Sequence, residues 1–341
     1  MSARLTRRTF GAAATLAIAA PFIGRASADE PLQLRCSLDT APSHPRNFAF
    51  RDFLGKLEQA SGGRIATKLF EAGSLFPDLQ VTKALVQGQV EMACPGTWTL
   101  TGLVPDADFA GLPAFYGRTI ETVHKATDGG GGKYVNEQLS SKLNVDVLGP
   151  WLDLGYNNWF STKKPIKALA DLNGIKIRSP GGVLNSWRIR YFGGIANVTA
   201  WPDVPLAMSQ GTFDALISTN ESTNSSKLYD SGMRYSLQDQ QAAAFYIPLI
   251  SKDFLGKVGP DLKATMTKLW ADNIASYRAN SARAQANAKG ELEKQGVTFT
   301  DVPQAELDDV RAKMAKDLDK VAEDAKMSTK LIQLVMADVG A

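Results

Sequence analysis

Apolar and polar positions alternate over residues 32–38, Leu32-Gln33-Leu34-Arg35-Cys36-Ser37-Leu38, which is the period of a strand. A loop follows at Ala41-Pro42-Ser43-His44-Pro45. Phe48, Phe50, Phe53, Leu54 and Leu57 then form the apolar side of a helix that Ser61-Gly62-Gly63 ends. Residues 65–70 predict a second strand. Leu79, Val81, Ala84, Leu85 and Val86 predict a helix stopped at Gly88, and residues 90–93 a third strand. This βαβαβ rhythm implies a parallel sheet covered by helices, with ligands expected beyond the carboxyl ends of its strands.

The later pattern has a different rhythm. Gly129-Gly130-Gly131-Gly132 reads as a helix break or exposed loop. Residues 145–149 and 156–161 predict strands, one of them crossing between lobes. Residues 168–172 predict a short helix, 184–192 and 204–209 two further helices, and 213–218 a strand followed by a polar loop over 219–226. Residues 245–250 predict a strand returning to the first lobe. A helical pattern then runs from Pro260 to about Gln295, opened by Gly-Pro-Asp and closed by Gly296. Its length of ~50 Å suits a strut lying across two lobes.

Between these elements lies the run Ile175-Lys176-Ile177-Arg178-Ser179-Pro180-Gly181-Gly182. It reads as a short strand broken by a turn, because Pro cannot donate to a ladder and Gly supplies positive φ. Arg178, at the strand's end, is held by a rigid element and faces a turn. Its guanidinium fork matches two carboxylate oxygens. A surface arginine beside a loop is the alternative that these residues alone leave open.

Charge alters the picture less than it first suggests. The chain has 341 residues with 38 basic and 35 acidic side chains, but residues 1–28 hold four Arg and no acid. Thr6-Arg7-Arg8-Thr9-Phe10, an apolar run to Ile23 and Ala26-Ser27-Ala28 predict a twin-arginine export signal and a mature chain starting at Asp29 in the periplasm. The remainder carries 34 basic against 35 acidic residues, which gives no footprint for nucleic acid or anionic membrane. Its 313 residues exceed what one core usually holds, so two lobes are expected. Cys36 and Cys94 read as two buried free thiols rather than a disulfide. His44 and His124 sit in no nucleophile motif. There is no phosphate loop, dinucleotide fingerprint or metal-ligand array, so no catalytic residue, metal or cofactor is assigned.

Several blocks together resemble the extracytoplasmic solute receptors of TRAP transporters: Ala41-Pro42-Ser43-His44-Pro45, Ser61-Gly62-Gly63-Arg64, Phe70-Glu71-Ala72-Gly73-Ser74-Leu75 and Ala84-Leu85-Val86-Gln87-Gly88-Gln89-Val90-Glu91-Met92. Leu112-Pro113-Ala114-Phe115-Tyr116, Leu172-Asn173-Gly174 before the arginine strand, and Trp201-Pro202-Asp203-Val204 with Gln210-Gly211-Thr212-Phe213-Asp214 continue the series. The resemblance implies an α/β, two-lobed periplasmic binding protein fold with hinge strands and a long helix spanning both lobes. It implies residues 29–154 plus 245–285 as one lobe and 155–244 plus 286–341 as the other. It further implies a monomeric, non-enzymatic receptor that closes on a small organic acid and delivers it to membrane permease subunits.

By that resemblance Arg178 pairs with the substrate carboxylate. Many relatives carry a second arginine where this chain has an asparagine, Asn157 or Asn158. The family's usual later asparagine falls near Ser218, and Asn220 follows it. Trp98 and Trp201 match cleft positions and, with Trp159, would make a flat-walled pocket. Such walls favour a monocarboxylate with an apolar, aromatic or hydroxylated body over a C4-dicarboxylate. The missing acidic cluster near Arg178 argues against an assisting metal. A periplasmic enzyme on a related scaffold and a ligand-binding partner of a signalling sensor are the alternatives.

Overall fold

The computed structural model describes residues 30–339, so the export signal predicted at 1–28 lies outside the described residues. The chain opens with β1 (Leu32–Ser37), α1 (Pro45–Ala60), β2 (Ile65–Phe70), α2 (Asp78–Val86) and β3 (Met92–Ala93). It continues through α3 (Ile120–Thr127), α4 (Gly130–Lys142) and β4 (Val145–Val147). Then come β5 (Leu152–Ser161), β6 (Lys176–Ser179), α5 (Val183–Tyr191), β7 (Ile195–Val198), α6 (Val204–Ser209), β8 (Ala215–Ser218), α7 (Asn220–Ser225) and β9 (Tyr235–Tyr246). The chain ends with β10 (Leu249–Ser251), α8 (Lys252–Lys294), β11 (Thr298–Asp301), α9 (Gln304–Met314), α10 (Leu318–Asp324) and α11 (Thr329–Val339).

Two sheets organise these elements into two lobes, in the orders β2-β1-β3-β10-β4 and β11-β9-β5-β8-β6-β7. In the first, β1 pairs in parallel with both β2 and β3, as βαβ crossovers demand, while β10 enters antiparallel between β3 and β4. In the second, β6 lies parallel to β7 and β8, and β5 antiparallel to β8 and β9. The chain leaves the first lobe along β5 and returns along β9, so this antiparallel pair is the hinge. The pair runs from Leu152 opposite Tyr246 to Ser161 opposite Tyr235, with irregularities at 153/155 and 157/159.

The predicted long helix is α8. Its straight body starts at Pro260, because Gly259 leaves helical geometry with φ 80° and ψ 172°. Leu262, Met266, Trp270, Ile274, Tyr277, Ser281, Ala288 and Leu292 are its buried stripe, at spacings of three, four and seven. Leu262 to Tyr277 pack on the core of the first lobe and Leu292 on that of the second, so the helix spans both.

Three departures from the sequence pattern stand out. The glycine run does sit at a break, between α3 and α4, but Gly130 to Gly132 form the first turn of α4 rather than an exposed loop. A Cβ on Gly132 would strike the Thr127 carbonyl, and one on Gly131 would lie 2.7 Å from Val335 Cγ2, so close packing rather than flexibility explains the run. The polar stretch after β8 is the short helix α7, capped by the Thr219 side chain. Finally, Val321, Ala325, Leu331 and Val335 join the cluster around Val81, Phe109 and Val135 in the first lobe. The end of the segment expected at 286–341 in the second lobe therefore packs with the first.

Candidate functional site

The site begins with the strand-end arginine. In β6, Lys176 is exposed while Ile177, Arg178 and Ser179 are buried. Arg178 Nε donates to Thr199 O at 3.0 Å and Nη1 to Ile217 O at 3.3 Å, and its guanidinium carbon lies 5.3 Å from the Trp201 ring centroid. The side chain is only 2% exposed. Among the described residues no carboxylate reaches ion-pair distance of it. Burial lowers its pKa to about 10 against the pull of Asp78 and Asp39. The turn that follows has Gly181 at φ 105° and Gly182 at φ 78°, and a Cβ on Gly182 would lie 3.1 Å from Trp98 Cβ. Glycine thus lets the second lobe's turn close onto the first lobe.

Arg178 lines a cavity of about 30 Å³ between the lobes. Asn157 and Ser218, on neighbouring strands of the second sheet, line it beside Trp201 and Thr219. From the first lobe come Asp39 and Thr40 just after β1, Asp78 at the first position of α2, and Trp98, with Tyr246 at the end of β9. The Trp98 indole Nε1 is buried there with no hydrogen-bond partner among the described residues. A donor left so is costly unless something else accepts from it.

Two further arginines show what Arg178 lacks. Arg46 is equally buried but engaged throughout: it donates to Asp39 Oδ1 at 2.6 Å, Cys94 O at 2.9 Å and Thr40 Oγ1, and lies 3.9 Å over the Tyr246 ring. Arg188 of α5 donates to Gly111 O across the lobe interface at 2.6 Å and to Asn185 and Gln241.

Other contacts also bridge the lobes at the rim. The Trp201 N–H donates to Asp78 Oδ1 at 3.0 Å. Burial and neighbouring Asp39 push Asp78 up to about 6. His44 Nδ1 accepts the Arg46 N–H as the cap of α1, which leaves the neutral ring's proton on Nε2. That atom faces Ser222 Oγ at 3.2 Å and Glu221 Oε2 at 3.5 Å. Burial and then Arg46 push His44 well below its ordinary value, and burial pushes Glu221 up to about 7.

Of the predicted site residues, Arg178, Asn157, Trp98, Trp201 and Ser218 meet at this cavity. Asn158 and Asn220 do not. Asn158 donates to Tyr156 O and accepts from Gln240 N at 3.0 Å, whereas Asn220 pairs with Gln238. Trp159 is fully buried with its indole on Asp239 Oδ2 at 2.7 Å, so it makes no pocket wall. The sequence reading missed Asp39, Thr40 and Asp78. Their positions just beyond the carboxyl end of β1 and at the start of α2 were the available signal. Cys36 and Cys94 are buried free thiols. Among the described residues no three of His, Cys, Asp and Glu gather as metal ligands, and no helix is long and apolar enough to cross a membrane.

A family model described as bacterial extracellular solute-binding protein, family 7, matches residues 37–324. The uncharacterized protein y4mM of Sinorhizobium fredii is 26% identical over 314 residues, covering 87% of this chain and 56% of that protein. The 2,3-diketo-L-gulonate-binding periplasmic protein YiaO of Escherichia coli is 25% identical over 182 residues, covering 53% of this chain and 55% of its own length. The match to these two relatives thus spans little more than half of their length. Among solved structures, the sugar acid binding protein DctPAm of Advenella mimigardefordensis in complex with galactonate superposes with a TM-score of 0.85 at 22% identity, covering 91% of this chain and 98% of that one. A TRAP periplasmic solute binding protein from Ralstonia eutropha with bound (S)-2-acetolactate gives 0.83 at 23% identity, covering 90% and 98%. The two-sheet, two-lobed architecture is therefore that of the TRAP-type receptors, and the chain belongs to the bacterial extracellular solute-binding proteins of family 7.

Proposed function

We propose that the protein is a periplasmic receptor that binds a small organic acid, as its monocarboxylate, between the two lobes and delivers it to TRAP-type permease subunits. The observation that carries this reading is Arg178: a buried guanidinium at a cavity, held by two carbonyls and an indole face, with no carboxylate paired to it. A bidentate acid completes it and makes charge-assisted hydrogen bonds of about 1.5–3 kcal/mol net. Asn157 and Ser218 offer further polar contacts, Trp98 its unpartnered N–H, and Trp201 a flat wall. Binding would favour the closed lobes because both sides of the cavity touch the ligand only when they meet. The bound galactonate and acetolactate of the similar structures are organic acids, which supports the ligand class. A catalytic reading has less support: His44 is occupied as a helix cap and His124 Nε2 meets Asp153 at 2.9 Å, away from the cavity.

The test is a thermal-shift screen of organic acids. An acid at 100 times its Kd should stabilise the wild type by about 2.7 kcal/mol. The Arg178→Ala variant should be stabilised by the same acid concentration about 1.3 kcal/mol less, or not at all. A variant that responds like the wild type would show that the carboxylate lies elsewhere.

A further inference from the structure

The cavity has a second pole that the carboxylate clamp does not use. Asp39 and Asp78 line it from the first lobe, as Arg178 does from the second. We propose that these two carboxylates form an acceptor pole, and that the receptor selects acids bearing a hydrogen-bond donor, hydroxyl or ammonium, a few bonds from the carboxylate. This rests on the carboxylate clamp at Arg178 proposed above.

The geometry argues for a gap meant to be filled. Arg178 is held within its own lobe by Thr199 O and Ile217 O, and Asp39 within its own by Arg46, while Asp78 accepts the Trp201 N–H from across the interface. Arg178 and Asp78 act on each other electrostatically yet form no ion pair. Buried opposite charges that serve only stability close into contact, because separation leaves both poorly satisfied. Here both line, without forming a contact, one cavity of about 30 Å³, room for roughly two or three waters at ~10–15 Å³ each. A compact molecule with an acceptor at one end and a donor at the other fits that gap.

Charge balance points the same way. Arg46 neutralises Asp39, and Arg178 balances Asp78. A plain carboxylate adds one uncompensated negative charge beside two others, and a dicarboxylate adds two. A hydroxyl offsets this by donating to the acceptor pole, and an ammonium restores neutrality. Asp78 accepts the Trp201 N–H, and burial together with Asp39 pushes it up to about 6.

The experiment is calorimetric titration of the full receptor with matched acids: propionate against lactate and alanine, hexanoate against galactonate, and succinate. The wild type should bind a donor-bearing member at least ~tenfold more tightly than its plain partner, a difference of about 1.4 kcal/mol. Asp78→Asn keeps the oxygen that accepts from Trp201 and should narrow that gap below about threefold while still binding. Lactate above alanine identifies a hydroxyl as the donor, and the reverse an ammonium. Propionate or hexanoate binding as tightly as its donor-bearing partners, or succinate binding most tightly of all, would overturn the acceptor pole while leaving an Arg178-dependent receptor intact. Loss of all binding dependence on Arg178 would instead overturn the carboxylate clamp. Should Asp78→Asn fold poorly, the wild-type ranking alone decides.

Discussion

Neighbouring residues of one strand divide the labour of the site. Asn157 faces the cavity, while Asn158 turns away and accepts the N–H of Gln240, a residue held at φ 46°. Asn158→Ala should therefore cost about 1 kcal/mol in denaturant unfolding and leave acid affinity unchanged. Asn157→Ala should do the opposite, weakening acid binding about tenfold in calorimetry with little loss of stability. The reverse pattern would mean that the strand's facing is misassigned. Sequence alone could not choose between the two, because both faces of this central strand are buried and its alternation carries no hydropathy signal. For Arg178 the strand end beside Pro-Gly-Gly left a surface residue open, and the resemblance of the surrounding blocks singled it out; the residue lies at the cavity. Asp78 was not legible, since an acidic residue in a first helical turn is also an ordinary dipole partner.

Among the elements, the long helix was readable from its Pro260 start and Gly296 stop, and the hinge only in part: the strand expected at 156–161 is the end of β5, whereas β9 before residue 245 was not read as a strand. The middle of β9 carries Asp239, Gln240 and Gln241, a polar run typical of turns, yet Asp239 and Gln241 are buried and satisfied in part by Tyr116, Trp159 and Arg188. Tertiary hydrogen bonds override local propensity there. Helix and hinge meet at Gln285 of α8, which donates to Leu154 O at 2.6 Å and Thr219 Oγ1 at 3.0 Å and accepts from Glu221 N at 3.0 Å. Gly155 lies beneath it at φ 125°, where a Cβ would come within 2.7 Å of Gln285 Cδ. Gly155→Ala should thus lower unfolding stability by about 1–3 kcal/mol, from strained backbone and displaced Gln285 together. A neutral effect would show that the hinge backbone relaxes freely.

Over the whole molecule, buried acids give stability a direction in pH. Burial raises Asp78 and Asp108 to about 6 and Asp239 and Glu221 to about 7, against ordinary values near 4. The native state holds these protons longer than the unfolded chain, so their contribution is full below about pH 4 and is lost as pH rises through 6 to 7. His44, pushed down, acts oppositely: its contribution is present above about 6.5 and is lost as pH falls. With four groups against one, the unliganded melting midpoint should fall between pH 5.5 and 8. Asp239→Asn should reduce that fall by roughly 2–4 °C. An equal fall in the variant would remove Asp239 from the account. The two-lobed plan itself was expected from the chain's length and the family resemblance, but the return of the C-terminal helices to the first lobe depends on long-range packing that no local pattern carries. The central claim is that a buried, unpaired Arg178 makes this molecule a carboxylate receptor. Calorimetric titration of the strongest-binding acid into wild type and Arg178→Met tests it most directly. The predicted result is saturable one-to-one binding by the wild type and a loss of at least ~tenfold in the variant, matching about 1.5 kcal/mol or more for a charge-assisted pair. Equal affinities in the two proteins would contradict it.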